Sequence, residues 1–195
     1  MTTSRLEAFS DGVVAILITI MVLELRPPHE ATFQSLKPLI PVLFSYLLSF
    51  IFLGIYWSNH HHLFHAAQHV NGRVLWANLH LLFWLSLIPF VTAWMGENHF
   101  GPAPVALYGI ILLLSAIAYT ILVQSLVSLH GPDSLLATAL GSDFKGKISV
   151  VLDLIAIPLA FLKPWVAFAI YVLVAVMWLA PDRRIERKMA TNSTP

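Results

Sequence analysis

Six apolar runs, separated by short polar punctuation, take up almost the whole chain. A membrane helix needs about 20 mostly apolar residues, and such runs fall at about 6–25, 38–58, 73–95, 104–128, 147–163 and 164–180. Pro27-Pro28 closes the first, because the residue before a proline is pushed out of helical geometry. Lys37 and Pro38 open the second, Gly96 closes the third, and Gly101-Pro102 with Pro104 precedes the fourth. Between His130 and Gly146 the pattern breaks into a polar loop with room for a short interfacial helix. The last two runs are short and nearly continuous, so Lys163-Pro164 predicts a tight hairpin near one membrane face. The predicted fold is all-α, a single six-helix transmembrane domain over residues 1–181 followed by a short polar tail over 182–195.

Composition agrees with the pattern. The 195 residues are 58% hydrophobic and only 11% charged, with a mean hydropathy of +0.79. A soluble domain carries about 25% charged residues, so the departure points to an integral membrane protein. No cysteine is present, which excludes disulfides and thiolate metal sites. A net charge of +1 gives no sign of nucleic-acid binding. The N-terminus places an acid and a serine before its apolar run and lacks a small-residue cleavage site, so it does not read as a removable signal peptide.

An even number of spans puts both termini on one side. That side collects Arg5, Arg73, Lys145, Lys147, Arg183, Arg184, Arg187 and Lys188, against Arg26, Lys37 and Lys163 on the other. By the positive-inside rule both termini are predicted to be cytoplasmic, in a multi-pass protein of the cell's inner (plasma) membrane.

The first run carries the chemistry. Within RLEAFSDGVVAILITIMVLEL, at 100° per residue, Arg5, Gly12, Ile16, Thr19 and Leu23 share one narrow stripe, with Phe9 and Ile20 on its flank. Asp11 lies about a quarter-turn away, and Ser10 almost opposite. The stripe alone is compatible with lipid contact or bundle packing. Asp11 is harder to dismiss, because an ionisable group in a span is costly and faces protein or water. Possible partners are Arg5, and Asn59, His60, Asn78 and His80 on the second and third spans.

Arg5-x-x-x-Phe9-Ser10-Asp11 at the start of a first span resembles the signature of the endolysosomal potassium channel family, specifically its small bacterial members with six spans per subunit. Trp57 followed by Asn59 and a histidine cluster, and Asn78 in the third span, add to the resemblance. It implies a homotetramer around the first helices that passes potassium and related monovalent cations, with no catalytic residues and no cofactor. In that family the Phe-Ser-Asp motif organises packing between helices, and bulky aliphatic residues below it form the constriction. Carried over by spacing, the constriction residue is Ile16, with Thr19, Ile20 and Leu23 continuing along the pore. No Thr-Val-Gly-Tyr-Gly loop occurs, so a carbonyl-lined filter is not expected. Ile16, Ile20 and Leu23 would then gate by dewetting, and Thr19 hydroxyls would supply a modest preference for potassium. The competing expectation is a proton-coupled secondary transporter using Asp11 or Asp153.

The histidine-rich stretch NHHHLFHAAQH, residues 59–69, is the other conspicuous feature. His61, His65 and His69 would share a face on a continuous helix, a geometry open to a divalent metal. A helix extension at the membrane surface is the first expectation, pH sensing by imidazole the second, and a metal site the third. A membrane metal enzyme would need several histidine boxes and nearby carboxylates, which are missing. Pro89 and Pro158 are expected to kink peripheral helices. Trp57, Trp76, Trp94, Trp165 and Trp178 fall near span ends, as an interfacial belt would have them.

Overall fold

The computed structural model describes residues 3–131, 134, 136 and 144–179. The described residues form helices and connecting turns: α1 (Thr3–Leu23), a 3-10 segment (Phe33–Leu39), α2 (Ile40–His65), α3 (Gly72–Ser86), α4 (Ile88–Glu97), α5 (Pro102–His130), α6 (Phe144–Leu159) and α7 (Pro164–Leu179). The expected tail over 182–195, and most of the polar loop before α6, lie outside the described residues.

Local chemistry sets the helix ends. α1 stops at Leu23, and the chain turns through Leu25 N–H to Val22 O (3.1 Å) before the two prolines. Thr32 Oγ1 caps the 3-10 segment by accepting from Ser35 N–H at 3.4 Å. Pro41 sits in the first turn of α2, where its missing N–H costs no hydrogen bond. Asn71 caps α3, its Oδ1 accepting from Val74 N–H at 3.0 Å. Gly131, at φ 89, ends α5 in a conformation that glycine reaches without steric penalty. The turn into α7 is tight, with Lys163 N–H donating to Leu159 O at 2.8 Å.

Four segments are long and apolar enough to cross a membrane by themselves: Thr3–Leu23, Phe33–His65, Gly72–Glu97 and Pro102–His130. α6 and α7 have 16 residues each, about 24 Å of helix at 1.5 Å per residue. That falls short of a hydrocarbon core about 30 Å thick.

The third apolar run is not one helix. Pro89 withdraws a backbone donor, and α3 gives way to α4 at Leu87, whose N–H bonds back to Trp84 O at 3.2 Å. Nor is the break peripheral as expected. α4 packs against α2, α5 and α1, and Ile88, Val91 and Met95 are fully buried. At its far end His99 and Phe100 both adopt positive φ (49° and 58°), an uncommon backbone for side-chain-bearing residues. The turn is held by burial of the Phe100 ring against Trp165 and Phe168, each at a centroid distance of 4.6 Å.

Polar groups inside the bundle are joined across helices. Tyr108 on α5 donates to Ser49 on α2 (3.0 Å), Ser49 donates to Thr92 on α4 (2.6 Å), and Thr92 returns its proton to Ile88 O (2.6 Å). Each hydroxyl is thus used where lipid offers no alternative partner. Close approach matters at Gly96, where an added Cβ would lie 2.7 Å from Val42 Cα and 2.6 Å from Ser45 Oγ. A backbone atom cannot swing aside, so Gly96→Ala should force α4 from α2 and cost about 1–3 kcal/mol. Gly54 has nothing within 4 Å of its Cβ position. Thermal unfolding of the purified protein should therefore show a marked loss for Gly96→Ala and none for Gly54→Ala.

Candidate functional site: the face of the first helix and its anchor

α1 is buried on one side only. Leu6, Ser10, Val14, Leu17 and Met21 recur at helical spacing and pack inward, against α2, α3 and α4. The other side is open: Phe9 is 54% exposed, Ile16 59%, Ile20 41% and Leu23 72%. Arg5, Gly12 and Thr19 lie on this open side with them. The uncovered side of α1 therefore includes the stripe traced by periodicity.

What fixes the rotation of α1 is a dry polar contact beneath it. Ser10 Oγ donates to Leu6 O at 2.9 Å and accepts from Asn78 Nδ2 at 2.9 Å. Asn78 Oδ1 in turn accepts from His60 at 2.8 Å, which assigns the imidazole proton to Nε2 because an amide oxygen can only accept. Ser10, Asn78 and His60 are all buried, and they tie α1 to α3 and α3 to α2. The space beside them, lined by Ser10, Asp11, Trp57 and His60, amounts to about 10 Å³, at or below what one water requires. The contacts are direct.

Alongside runs a second, more exposed pair of contacts. Trp57 Nε1–H donates to Asp11 Oδ1 at 2.9 Å, and His61 Nδ1 meets Glu7 Oε1 at 3.0 Å. Glu7 and Asp11 are one turn apart on α1, and Trp57 and His61 are one turn apart on α2. The two antiparallel helices therefore present matched ladders, and Trp57 also stacks on His61 at 6.3 Å.

Of the candidate partners for the motif, the structure brings His60 and Asn78 to Ser10. Asn59 and His80 are directed elsewhere. Asn59 accepts from Tyr119 O–H through its backbone carbonyl at 3.2 Å, and His80 Nε2 accepts from Trp84 Nε1–H on its own helix at 2.9 Å. Arg5 and Asp11 form no ion pair among the described residues. The sequence reading places Trp57 in the interfacial belt and the family resemblance but not opposite Asp11, and gives Glu7 no role. The i, i+4 acids on α1 facing i, i+4 donors on α2 were the available signal. Trp57 is thus more than an interfacial residue, and so is Trp178, whose Nε1–H donates to Ser149 Oγ at 2.8 Å.

The histidine stretch separates into distinct environments. α2 continues through His65 and then ends, so His69 does not share the helix face of His61 and His65. It packs instead against His130 at a ring distance of 4.6 Å. His130 Nδ1–H donates to Leu126 O (2.9 Å) while Nε2 accepts from Gln68 N–H (3.1 Å). Among the described residues no group of three or more metal-ligating side chains is assembled.

Comparison with known proteins follows the same residues. The sequence profile described as "Endosomal/lysosomal potassium channel TMEM175" matches residues 5–89, the part that contains the whole α1–α2–α3 contact. A potassium channel of Chryseobacterium sp. is 53% identical over 98% of this chain and 100% of its own length. A potassium channel of Chamaesiphon minutus is 34% identical over 60% of this chain and 62% of its own. The crystal structure of a lysosomal potassium-selective channel TMEM175 homolog from the same organism superposes with a TM-score of 0.77 at 28% identity, covering 91% of this chain and 96% of that one.

Removing the amide at the centre of the buried contact should leave Ser10 and His60 short of partners. Asn78→Ala is expected to cost about 1–3 kcal/mol of stability, and His80→Ala, on the exposed side, less than about 0.5 kcal/mol. Melting temperatures of the two variants in one detergent check the contrast.

Proposed function

This chain is a bacterial member of the endosomal/lysosomal potassium channel TMEM175 family, and on that premise we propose that it conducts potassium through a pore lined by α1. The family and these relatives are ion channels, not enzymes, and the helices are those of a multi-pass membrane protein. In the proposed assembly four copies place their α1 faces around one axis, in the plasma membrane with both termini cytoplasmic.

The observation that carries the proposal is the open face of α1. A subunit that buries Ser10 and leaves Ile16, Thr19, Ile20 and Leu23 uncovered is prepared to offer those four residues to a common axis. Ile16 and Leu23 would form apolar rings that gate by dewetting. Thr19 adds a chemical detail: its hydroxyl donates to Ala15 O at 2.8 Å. With the proton so engaged, the oxygen offers lone pairs outward, the polarity that a passing cation requires. Hydroxyl oxygens are fewer and weaker than the carbonyls of a filter loop, so the preference for potassium would be modest.

Two substitutions test the assignment. Ile16→Asn should raise potassium current through protein reconstituted in bilayers, because a polar ring wets the constriction; current unchanged or lower would remove Ile16 from the gate. Thr19→Ala should shift the reversal potential between potassium and sodium solutions toward non-selectivity; an unmoved potential would exclude the hydroxyl from selection. Flux that ran only under a proton gradient and vanished with Asp11→Asn would replace the channel by the carrier reading.

A further inference from the structure

We propose that a cavity between α2, α5, α6 and α7 binds a small organic ammonium ion, with Asp153 as its counter-charge. The cavity is about 50 Å³ in volume and takes its lining from those four helices, with no contribution from α1. It is therefore separate from the face assigned to ion conduction, and the proposal stands apart from that assignment.

Asp153 lies on its wall with 2% of its surface exposed, and its Oδ1 has no hydrogen-bond partner among the described residues. A buried carboxylate oxygen without a partner is costly. What surrounds it is aromatic: Tyr56, Tyr119 and Trp178 line the same cavity. The Trp178 ring is fixed there, since its Nε1–H donates to Ser149 Oγ (2.8 Å) and Ser149 donates to Lys145 O (2.9 Å). Tyr119 is fixed by its bond to Asn59 O (3.2 Å). One acid among aromatic rings is the arrangement that recognises an ammonium ion, by charge and by attraction to the π faces. Trp178 already draws one cation, with Lys145 Nζ 6.0 Å from its ring centroid.

Size and lining narrow the ligand. One water occupies roughly 10–15 Å³ of such a space, so the cavity suits a compact cation of about three to five heavy atoms. A bare potassium ion exchanges its hydration shell for a cage of oxygens, whereas this wall is mostly carbon, from Phe52, Ile55, Leu112 and Val174 as well as the rings. A short alkylammonium satisfies both parts of the site. Bound there, it would bridge α6 and α7 to α2.

The test uses the full chain purified in detergent, titrated calorimetrically with propylammonium and tetramethylammonium chlorides, with propan-1-ol as the uncharged control and KCl at equal ionic strength. Saturable binding of an ammonium but not of the alcohol is expected. Asp153→Asn should weaken it by at least about tenfold, equivalent to about 1.4 kcal/mol. Ala116→Leu, which fills the cavity from α5 and leaves the acid in place, should abolish it. If Asp153→Asn fails to fold, Ala116→Leu and Trp178→Leu, which removes the π face, decide the matter in the same way. No saturable binding, equal binding by the variants, or equal saturable binding of KCl would overturn the proposal.

Discussion

The structure turns on one constraint: inside a bilayer, a polar side chain without a partner in the protein is costly. On α1 that side chain is Ser10, and its partner is Asn78, itself held by His60. Neighbouring residues on a helix point about 100° apart, so a slip of one position would carry Ser10 away from Asn78 and bury an unpaired amide. The contact therefore acts as a rotational lock. With Ser10 facing in, Ile16, Thr19 and Leu23 must face out. The chemistry at the mouth of the helix sets the face presented along its length, which is why an acid and a serine belong at the start of an otherwise apolar segment.

Much of this was visible in the sequence. The helical period picked out the open stripe of α1 from the spacing of Arg5, Gly12, Ile16, Thr19 and Leu23, and the Lys163-Pro164 hairpin followed from its punctuation. Partner choice was not visible. Asn59, His60, Asn78 and His80 were equally eligible, because selection among them depends on how α2 and α3 are turned relative to α1. Helix ends were obscured for a related reason. α2 runs on into the histidines, as the expected helix extension has it, but it ends at His65, before His69, with no sequence signal for the stop. The division of α3 from α4 was hidden because apolar residues continue through it, and only Pro89 marks the place. The matched ladder of Glu7 and Asp11 against His61 and Trp57 was present in the spacing, but it requires knowing that these two helices lie antiparallel.

The remainder of the bundle serves α1 by holding its neighbours rigid. The hydroxyl chain from Tyr108 through Ser49 to Thr92 ties α5, α2 and α4, and the close approach at Gly96 keeps α4 against α2. α6 and α7, of 16 residues each, pack on α5 and line the acid-bearing cavity with α2 and α5. The subunit thus has two chemically different regions, an open aliphatic face with one hydroxyl on α1 and an aromatic-lined cavity with one carboxylate away from it.

The central claim is that the uncovered face of α1 meets permeating ions. Because the chain has no cysteine, Ile16→Cys would introduce its only thiol. The direct measurement is potassium current through that variant in planar bilayers before and after a charged, water-soluble thiol reagent, beside a variant with cysteine at buried position 17. Block at position 16 and indifference at position 17 are the expected result. Current unaffected at position 16, with the cysteine shown to be labelled, would contradict the claim and place the ion path elsewhere.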